Sequence, residues 1–350
     1  MDASVKKSSS SLNDADPTRP CPSTLVLTKR EIASLMSLGD YVSAVEAGFR
    51  SYGNGGVDVP LPMHIRAPQG TFHAKGACLV LDRPYVALKL NGNFAANPET
   101  NGLPTIQGVV LLCDGNDGTV LSLMDSIEIT LRRTAAATSL AARFLAPVCS
   151  DSVGLFGCGI QGRAQLEALA DVLPLRRVRV WDRDASKASH FARTLRASLH
   201  IDVAAVAEPQ QASRTSQVIV TATTARAPFL RKDMVPPGAF IAAIGADSAE
   251  KSELAPELVA GATIVVDLLA QAATMGDLHH AIDAGVVTAD DVHAELAEIV
   301  VGRKPGRLRD DETIVFDSTG TAIQDVAAAA AIWQRAAANE VGSHIQLGAL

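Results

Sequence analysis

The run Gly157-Cys158-Gly159-Ile160-Gln161-Gly162 follows the apolar stretch Ser152–Phe156 and precedes a helical pattern read over Arg163–Leu173. In that setting each glycine has a physical reason. Gly157 permits a tight turn, Gly159 lets backbone approach a pyrophosphate, and Gly162 packs helix on strand. The helix start, with Ile160 and Gln161, then faces two negative phosphates. Asp182 closes the next apolar stretch and has the spacing of a ligand for ribose hydroxyls. Its charge repels a 2′-phosphate and favours NAD, while Arg183 beside it and Lys187 one helical turn on keep NADP open. Thr221 and Thr223 follow the fourth apolar stretch, where ligands of parallel sheets sit, and they equally suit ordinary turn chemistry.

A second set is cationic. Arg66, Lys75, Lys89 and Arg133 lie near strand ends or on an Ala-rich helix. Such groups fix a carboxylate, Arg bidentately and Lys as a point charge. Lys89, between Leu88 and Leu90, calls for a partner, because an isolated ammonium is costly to bury. Arg133 has small neighbours, Thr134, Ala135 and Ala136, which leave room for a ligand. Asp247 follows Phe240–Ile244 and the turn Gly245-Ala246, beyond a strand's carboxyl end, where a nicotinamide belongs. It can relay a proton to a substrate nitrogen, directly or through water. Alternatively it caps a following helix, a role open to Ser248 and Ser252 as well.

The elements that position these groups fall into two patterns. Thr28 reads as the cap of a helix that Gly39-Asp40 breaks in two and Gly53–Gly56 ends. From Val57 to Ser122 short strands alternate with turns, and Asp114–Gly118 marks a hairpin. Residues 126–146 form an Ala-rich helix. Strands then read at Val153–Phe156, Val178–Trp181, Val203–Val206, Val218–Ala222, Phe240–Ile244 and Thr263–Val266, mostly with helices between them. That alternation implies a parallel sheet with right-handed crossovers. After Thr313–Phe316 a last helix, about 320–338, is expected to return to the first domain.

Of the 350 residues, 47% are hydrophobic and only 4% aromatic, so the core rests on aliphatic residues and Ala. The net charge of −7 carries no basic stripe, which argues against nucleic acid. No apolar run approaches the roughly 20 residues of a membrane span. Cys21, Cys78, Cys113, Cys149 and Cys158 lack metal or disulfide spacing, and no HExxH occurs, so no metal is expected and a reducing, cytoplasmic setting is the simplest. The Ser-rich residues 1–22 read as a disordered tail.

Over about residues 25–345 the chain resembles the ornithine cyclodeaminase/mu-crystallin family. The resemblance rests on Lys89, Asn101–Thr105, Asp125, Arg133–Ala136, the glycine turn, Ala243–Asp247 and Phe316–Asp325. It implies an α/β fold: a doubly wound Rossmann sheet (147–318) plus a smaller α+β substrate-binding and dimerisation domain (23–146 and 319–350). It implies a homodimer, with Arg66, Lys89 and Arg133 on the substrate carboxylate and Asp247 as the catalytic aspartate. Thr105 and Asp125 match the pattern, Thr105 on the cofactor side, and also suit a strand end and a helix cap. Where ornithine-specific members carry a carboxylate for the distal ammonium, this chain has His73 and Lys75, which would repel a diamine. The implied activity is reduction of a small imino acid, Δ1-pyrroline-2-carboxylate first, or dehydrogenation of an amino acid such as alanine. Ornithine or lysine cyclodeamination and non-catalytic binding are the alternatives.

Overall fold

The computed structural model describes residues 23–55 and 58–347, so the expected tail over 1–22 lies outside the described residues. Strands Met63–Ala67, Gly70–Val80, Pro84–Asn93, Ile106–Asp114 and Val120–Asp125 form an antiparallel meander. Thr24–Leu27 adds to it in parallel, and Ser343–Ile345 closes that edge antiparallel. Side chains alternate: Tyr85, Ala87 and Lys89 point inward, whereas Val86, Leu88 and Leu90 are exposed. Helices Leu38–Gly53, Ser126–Leu145 and Ala322–Ala338 cover the inner face. Their residues Val45, Phe49, Leu140 and Ile323 share one core with Leu79, Tyr85, Ala87 and Val110. Each large apolar side chain buried there is worth about 1.5–3 kcal/mol relative to exposure.

Two local expectations change. The strands are longer than the apolar runs suggested, Gly70–Val80 reaching 11 residues. Asparagines that look like turns in the sequence pair inside the ladder instead, Asn93 with Thr71 and Asn91 with His73. The first helical segment does divide, but at Met36–Ser37, into Lys29–Leu35 and Leu38–Gly53. Thr28 caps the first with Glu31 in a capping box. Ser37 and Asp40 make the same box for the second, so Gly39-Asp40 lies in its first turn.

The second sheet has eight strands, each parallel to its neighbours. Their spatial order is Val292–Glu295, Thr263–Val266, Ile314–Asp317, Phe240–Ala243, Val218–Thr221, Ser152–Phe156, Arg177–Trp181, Asp202–Ala205. Its central strands are buried on both faces, which explains their unbroken apolar runs. Ile314–Asp317 inserts between Phe240–Ala243 and Thr263–Val266, and Val292–Glu295 forms an edge that the sequence pattern did not reveal. Spatial order is set by crossover packing, which strand composition does not encode. The order reverses at Ser152–Phe156 and Val218–Thr221, opening a crevice at their carboxyl ends. The fold is thus α/β, with a doubly wound parallel sheet and a smaller α+β unit that the Ala322–Ala338 helix rejoins.

Candidate active site

The glycine turn forms at the carboxyl end of Ser152–Phe156. Gly157 has φ 99°, in the left-handed region, and a Cβ there would lie 2.4 Å from the Ala222 carbonyl oxygen. A Cβ on Gly162 would meet the Gly157 carbonyl oxygen at 2.1 Å, so helix and turn touch directly. Over Gly159 there is open space, with nothing within 4 Å of an added Cβ. The helix starts at Ile160 rather than Arg163 and runs Ile160–Val172. Ile160 is 75% exposed, so its first turn leaves no apolar periodicity to read. Gly159 is the N-cap and offers no side-chain acceptor, which leaves the first amides for an outside anion. The buried Gln161 amide nitrogen also lacks a hydrogen-bond partner. This open cradle with unused donors fits a dinucleotide pyrophosphate.

Asp182 follows Arg177–Trp181 and accepts hydrogen bonds from the backbone N–H groups of Cys158 (2.9 Å) and Asp184 (3.1 Å). It therefore ties the glycine turn to the second strand's end, and Lys187 Nζ approaches it at 3.6 Å. Arg183 is exposed beside it. Thr221 is fully buried at its strand's end, and the Thr223 hydroxyl accepts from the Ala225 N–H, a turn bond.

The cations converge from separate segments. In the ladder Lys75 stands directly opposite Lys89, both on the inner face. Like charges so placed destabilise a strand pair unless anions intervene. One anion is Asp325, in the first turn of Ala322–Ala338. Its Oδ2 lies 2.6 Å from Lys89 Nζ and its Oδ1 lies 3.0 Å from Arg133 Nε. Arg133 also donates to Gln324 Oε1 at 2.6 Å, and Gly320, at φ 74°, leaves the space its guanidinium occupies. Lys75 donates to the carbonyls of Thr319 (3.1 Å) and Gly320 (2.7 Å). Asp267 fixes that loop by accepting from the Gly320 N–H (2.7 Å) and the Thr319 hydroxyl (3.0 Å).

Lys89, Arg133 and Asp325 are all buried. Burial, together with the Arg133 and Lys75 charges, pushes Lys89 down to about 7, although Asp325 pulls the other way. Burial and Arg133 likewise lower Lys75. For Asp325, burial alone would raise the carboxyl, but Lys89 and Arg133 overcome it and hold it below the ordinary range. Asp325 thus pairs with Lys89 and Arg133, while Lys75 is held by the Thr319 and Gly320 carbonyls and also feels the Asp247 and Asp267 carboxylates.

Asp247 links the two ends of the crevice. No helix follows it closely, so it caps none. Its Oδ1 instead accepts from Lys251 Nζ at 2.6 Å. The side chain is 55% exposed, on an open wall, yet feels Lys75 and His73 from the first sheet. Its surroundings raise the carboxyl by desolvation, but Lys251, Lys75 and His73 outweigh this and keep it below its usual value. Arg66 is exposed on the edge strand Met63–Ala67. The register places it on the same face as His64, His73 and Lys75, and it makes no ion pair among the described residues. Thr105 is half-buried, with its carbonyl accepting from the Phe94 N–H. Asp125 caps Ser126–Leu145 through the Ile127 N–H.

Sequence reading called for a partner to Lys89 but did not find Asp325 or Gln324. The available signal was the polar pair Gln324-Asp325 at the start of an Ala-rich helix whose next eight residues are apolar.

A family profile described as "Ornithine cyclodeaminase/mu-crystallin family" matches residues 23–340. Alanine dehydrogenase of Archaeoglobus fulgidus is 37% identical over 323 residues, covering 92% of this chain and 98% of that protein. Among solved structures, an archaeal alanine dehydrogenase dimer with bound NAD superposes with a TM-score of 0.88 at 37% identity, over 93% of this chain and 99% of the other. The Δ1-pyrroline-2-carboxylate reductase of Thermococcus litoralis, in complex with NADH and L-proline, gives a TM-score of 0.87 at 30% identity, over 92% and 100%. With its two sheets, glycine cradle and cationic cluster all in one continuous match, the chain belongs to the ornithine cyclodeaminase/mu-crystallin family.

Proposed function

We propose that this enzyme is an oxidoreductase that transfers a hydride between a nicotinamide cofactor and the α-carbon of a small α-imino or α-amino acid. Δ1-Pyrroline-2-carboxylate, giving proline, is the first candidate substrate, and alanine is the second. The observation that carries the reading is the convergence of the facing pair Lys75 and Lys89 with Arg133 at the crevice that holds Asp247. A substrate carboxylate is a further acceptor for these donors.

When bound, the cofactor supplies or accepts the hydride at the nicotinamide ring. Lys89 and Arg133 hold the substrate carboxylate, and Arg66 adds a cation from the edge strand. In reduction the C=N carbon gains the hydride and the nitrogen gains a proton, which Asp247 relays directly or through water. Lys75, anchored on Thr319 and Gly320, sets a positive wall that disfavours a substrate with a distal ammonium. The cofactor is NAD. Asp182 next to the glycine cradle favours it, and the exposed Arg183 leaves a hold for the 2′-phosphate of NADP. The adenine side therefore rests on Gly157, Gly159, Ile160, Gln161, Gly162, Asp182 and Arg183, and Thr105, Thr221 and Thr223 stand toward the reacting end.

The outer face of the first sheet supports a homodimer. Met63, Leu90 and Val109 fall in one cross-strand row there, next to Leu88, and all are exposed. A contiguous apolar sheet face of this kind marks an interface.

The test is a screen of cyclic imino acids, and of pyruvate with ammonia, followed by the absorbance of NADH and NADPH in parallel. Oxidation of the reduced cofactor with pyrroline-2-carboxylate is expected. Ammonia release from ornithine or lysine without net change in NADH would replace this reading by cyclodeamination, and no response to any of them would remove it.

A further inference from the structure

Beyond the fourth and fifth parallel strands the chain forms a small parallel ribbon, Arg226–Leu230 paired with Ser252–Leu254. Glu253 in that ribbon is fully buried. Its Oε1 accepts the Thr223 N–H at 2.7 Å and its Oε2 accepts the Gly245 N–H at 2.9 Å. Thr223 and Gly245 lie just past the ends of Val218–Thr221 and Phe240–Ala243, so one carboxylate ties together the two loops that border the crevice. The contact is close: a Cβ on Gly245 would lie 2.4 Å from Glu253 Oε1. On its other side the Gly245 carbonyl accepts the Asp247 N–H at 3.1 Å. The Gly245 residue therefore hands the position of Glu253 on to Asp247.

Glu253 is itself held from behind. Asp277, also fully buried, accepts the N–H groups of Glu253 (2.7 Å) and Leu254 (2.9 Å). Asp317 in turn accepts the Leu278 N–H at 2.8 Å. Neither Glu253 nor Asp277 has a cation at ion-pair distance among the described residues. Both serve backbone amides, which is the work of a scaffold that fixes loops rather than of an ion-pair network.

We propose that Glu253 is a positioning residue of the active site. By clamping the Thr223 and Gly245 amides it sets the loop that carries Asp247 against the reacting end of the cofactor. The inference rests on the role given above to Asp247. Misplacing a proton-transfer group by about 1 Å costs on the order of 100-fold in rate. The adenosine contact at Asp182 lies outside the clamp, whereas Gly157 of the glycine turn packs against Ala222 and Thr223.

The test uses the full-length enzyme with Glu253→Gln and Glu253→Asp. Gln turns one acceptor into a donor that faces an amide N–H, and Asp keeps the charge but falls short of both amides. For each variant, kcat is expected to fall by roughly 100-fold, while the Kd for NADH, read by its fluorescence, changes less than about threefold because the clamp leaves the adenosine contacts alone. Hydrogen exchange should speed up in peptides covering 222–225 and 244–248 and stay unchanged in the helix 160–172. Wild-type kcat in either folded variant, or unchanged exchange in those two segments, overturns the proposal. An equal loss of NADH binding and kcat also overturns it, because that pattern reports a general structural defect. If the wild-type enzyme turns over no imino or amino acid, the functional reading fails, and the exchange measurement still decides the clamp on its own.

Discussion

The two ends of the crevice are built by opposite means. The dinucleotide end is mostly backbone: three glycines, an uncapped helix start and one aspartate that braces the turn, within a short stretch of chain. The carboxylate end is made of long charged side chains, Lys75, Lys89, Arg133 and Asp325, brought together from two strands and two helices. A backbone site offers fixed dipoles to any dinucleotide. A side-chain site depends on charge balance and on residues distant in the chain. The first is robust to pH and specific in shape, and the second is sensitive to both charge and protonation.

That contrast can be broken at several points. The largest effect is expected from Lys89→Ala, which leaves Asp325 with Arg133 alone in a buried setting. Removing one partner of such a network costs about 3–5 kcal/mol. Lost as well is the grip of Lys89 on the substrate carboxylate, about 2–5 kcal/mol for one partner of a buried charge pair, so kcat/KM for the imino acid should fall roughly 1,000-fold, while NADH binding by fluorescence titration stays near wild type. A parallel loss of NADH affinity would show that the two ends are not separable. Gly162→Ala strikes the other end. Its Cβ would overlap the Gly157 carbonyl, so the turn must shift at a cost of about 1–3 kcal/mol. NADH affinity should drop about tenfold or more, with the Kd of a competing substrate carboxylate unchanged.

The smallest effect is that of pH on the carboxylate end. Lys89 in the free enzyme titrates at about 7 because of burial and its cationic neighbours. Its folded value lies below the ordinary 10.5, so it carries full charge only below that pH, and above it binding a carboxylate must first draw a proton onto it. From pH 7 to pH 8 the substrate kcat/KM should fall roughly fivefold as the charged fraction drops. Lys89→Arg should remove this limb, since Arg stays protonated. A profile unchanged by Lys89→Arg would assign the limb to another group.

The same contrast explains what the sequence disclosed. The glycine turn and Asp182 were legible because their spacing is local, and Gly157 and Gly162 each answer a steric demand seen in the structure. Lys89 announced a need for a partner by its apolar neighbours, but Asp325 lies on a helix whose packing against that strand is a tertiary fact. The opposition of Lys75 and Lys89 follows from a ladder register, and polar residues such as His73 and Asn91 hid the full length of those strands. Glu253 and Asp277 stand in polar surroundings that carry no signal of burial, and only the ribbon Ser252–Leu254 turns Glu253 inward. The order of Ile314–Asp317 in the parallel sheet was hidden for a simpler reason. Three apolar residues and an aspartate carry no record of which neighbours they join.

The return of the chain to the first sheet has a consequence for synthesis. The parallel sheet uses one unbroken stretch, from Ser152 to Asp317, and is complete once that stretch has left the ribosome. The meander must wait, because its covering helix Ala322–Ala338 and its edge strand Ser343–Ile345 are made last. Until then Lys75, Lys89 and Arg133 have neither Asp325 nor the Thr319 and Gly320 carbonyls to face. A nascent or truncated chain that stops short of this helix therefore carries a cluster of uncompensated positive charge, so the half that holds Lys75, Lys89 and Arg133 matures after the parallel sheet.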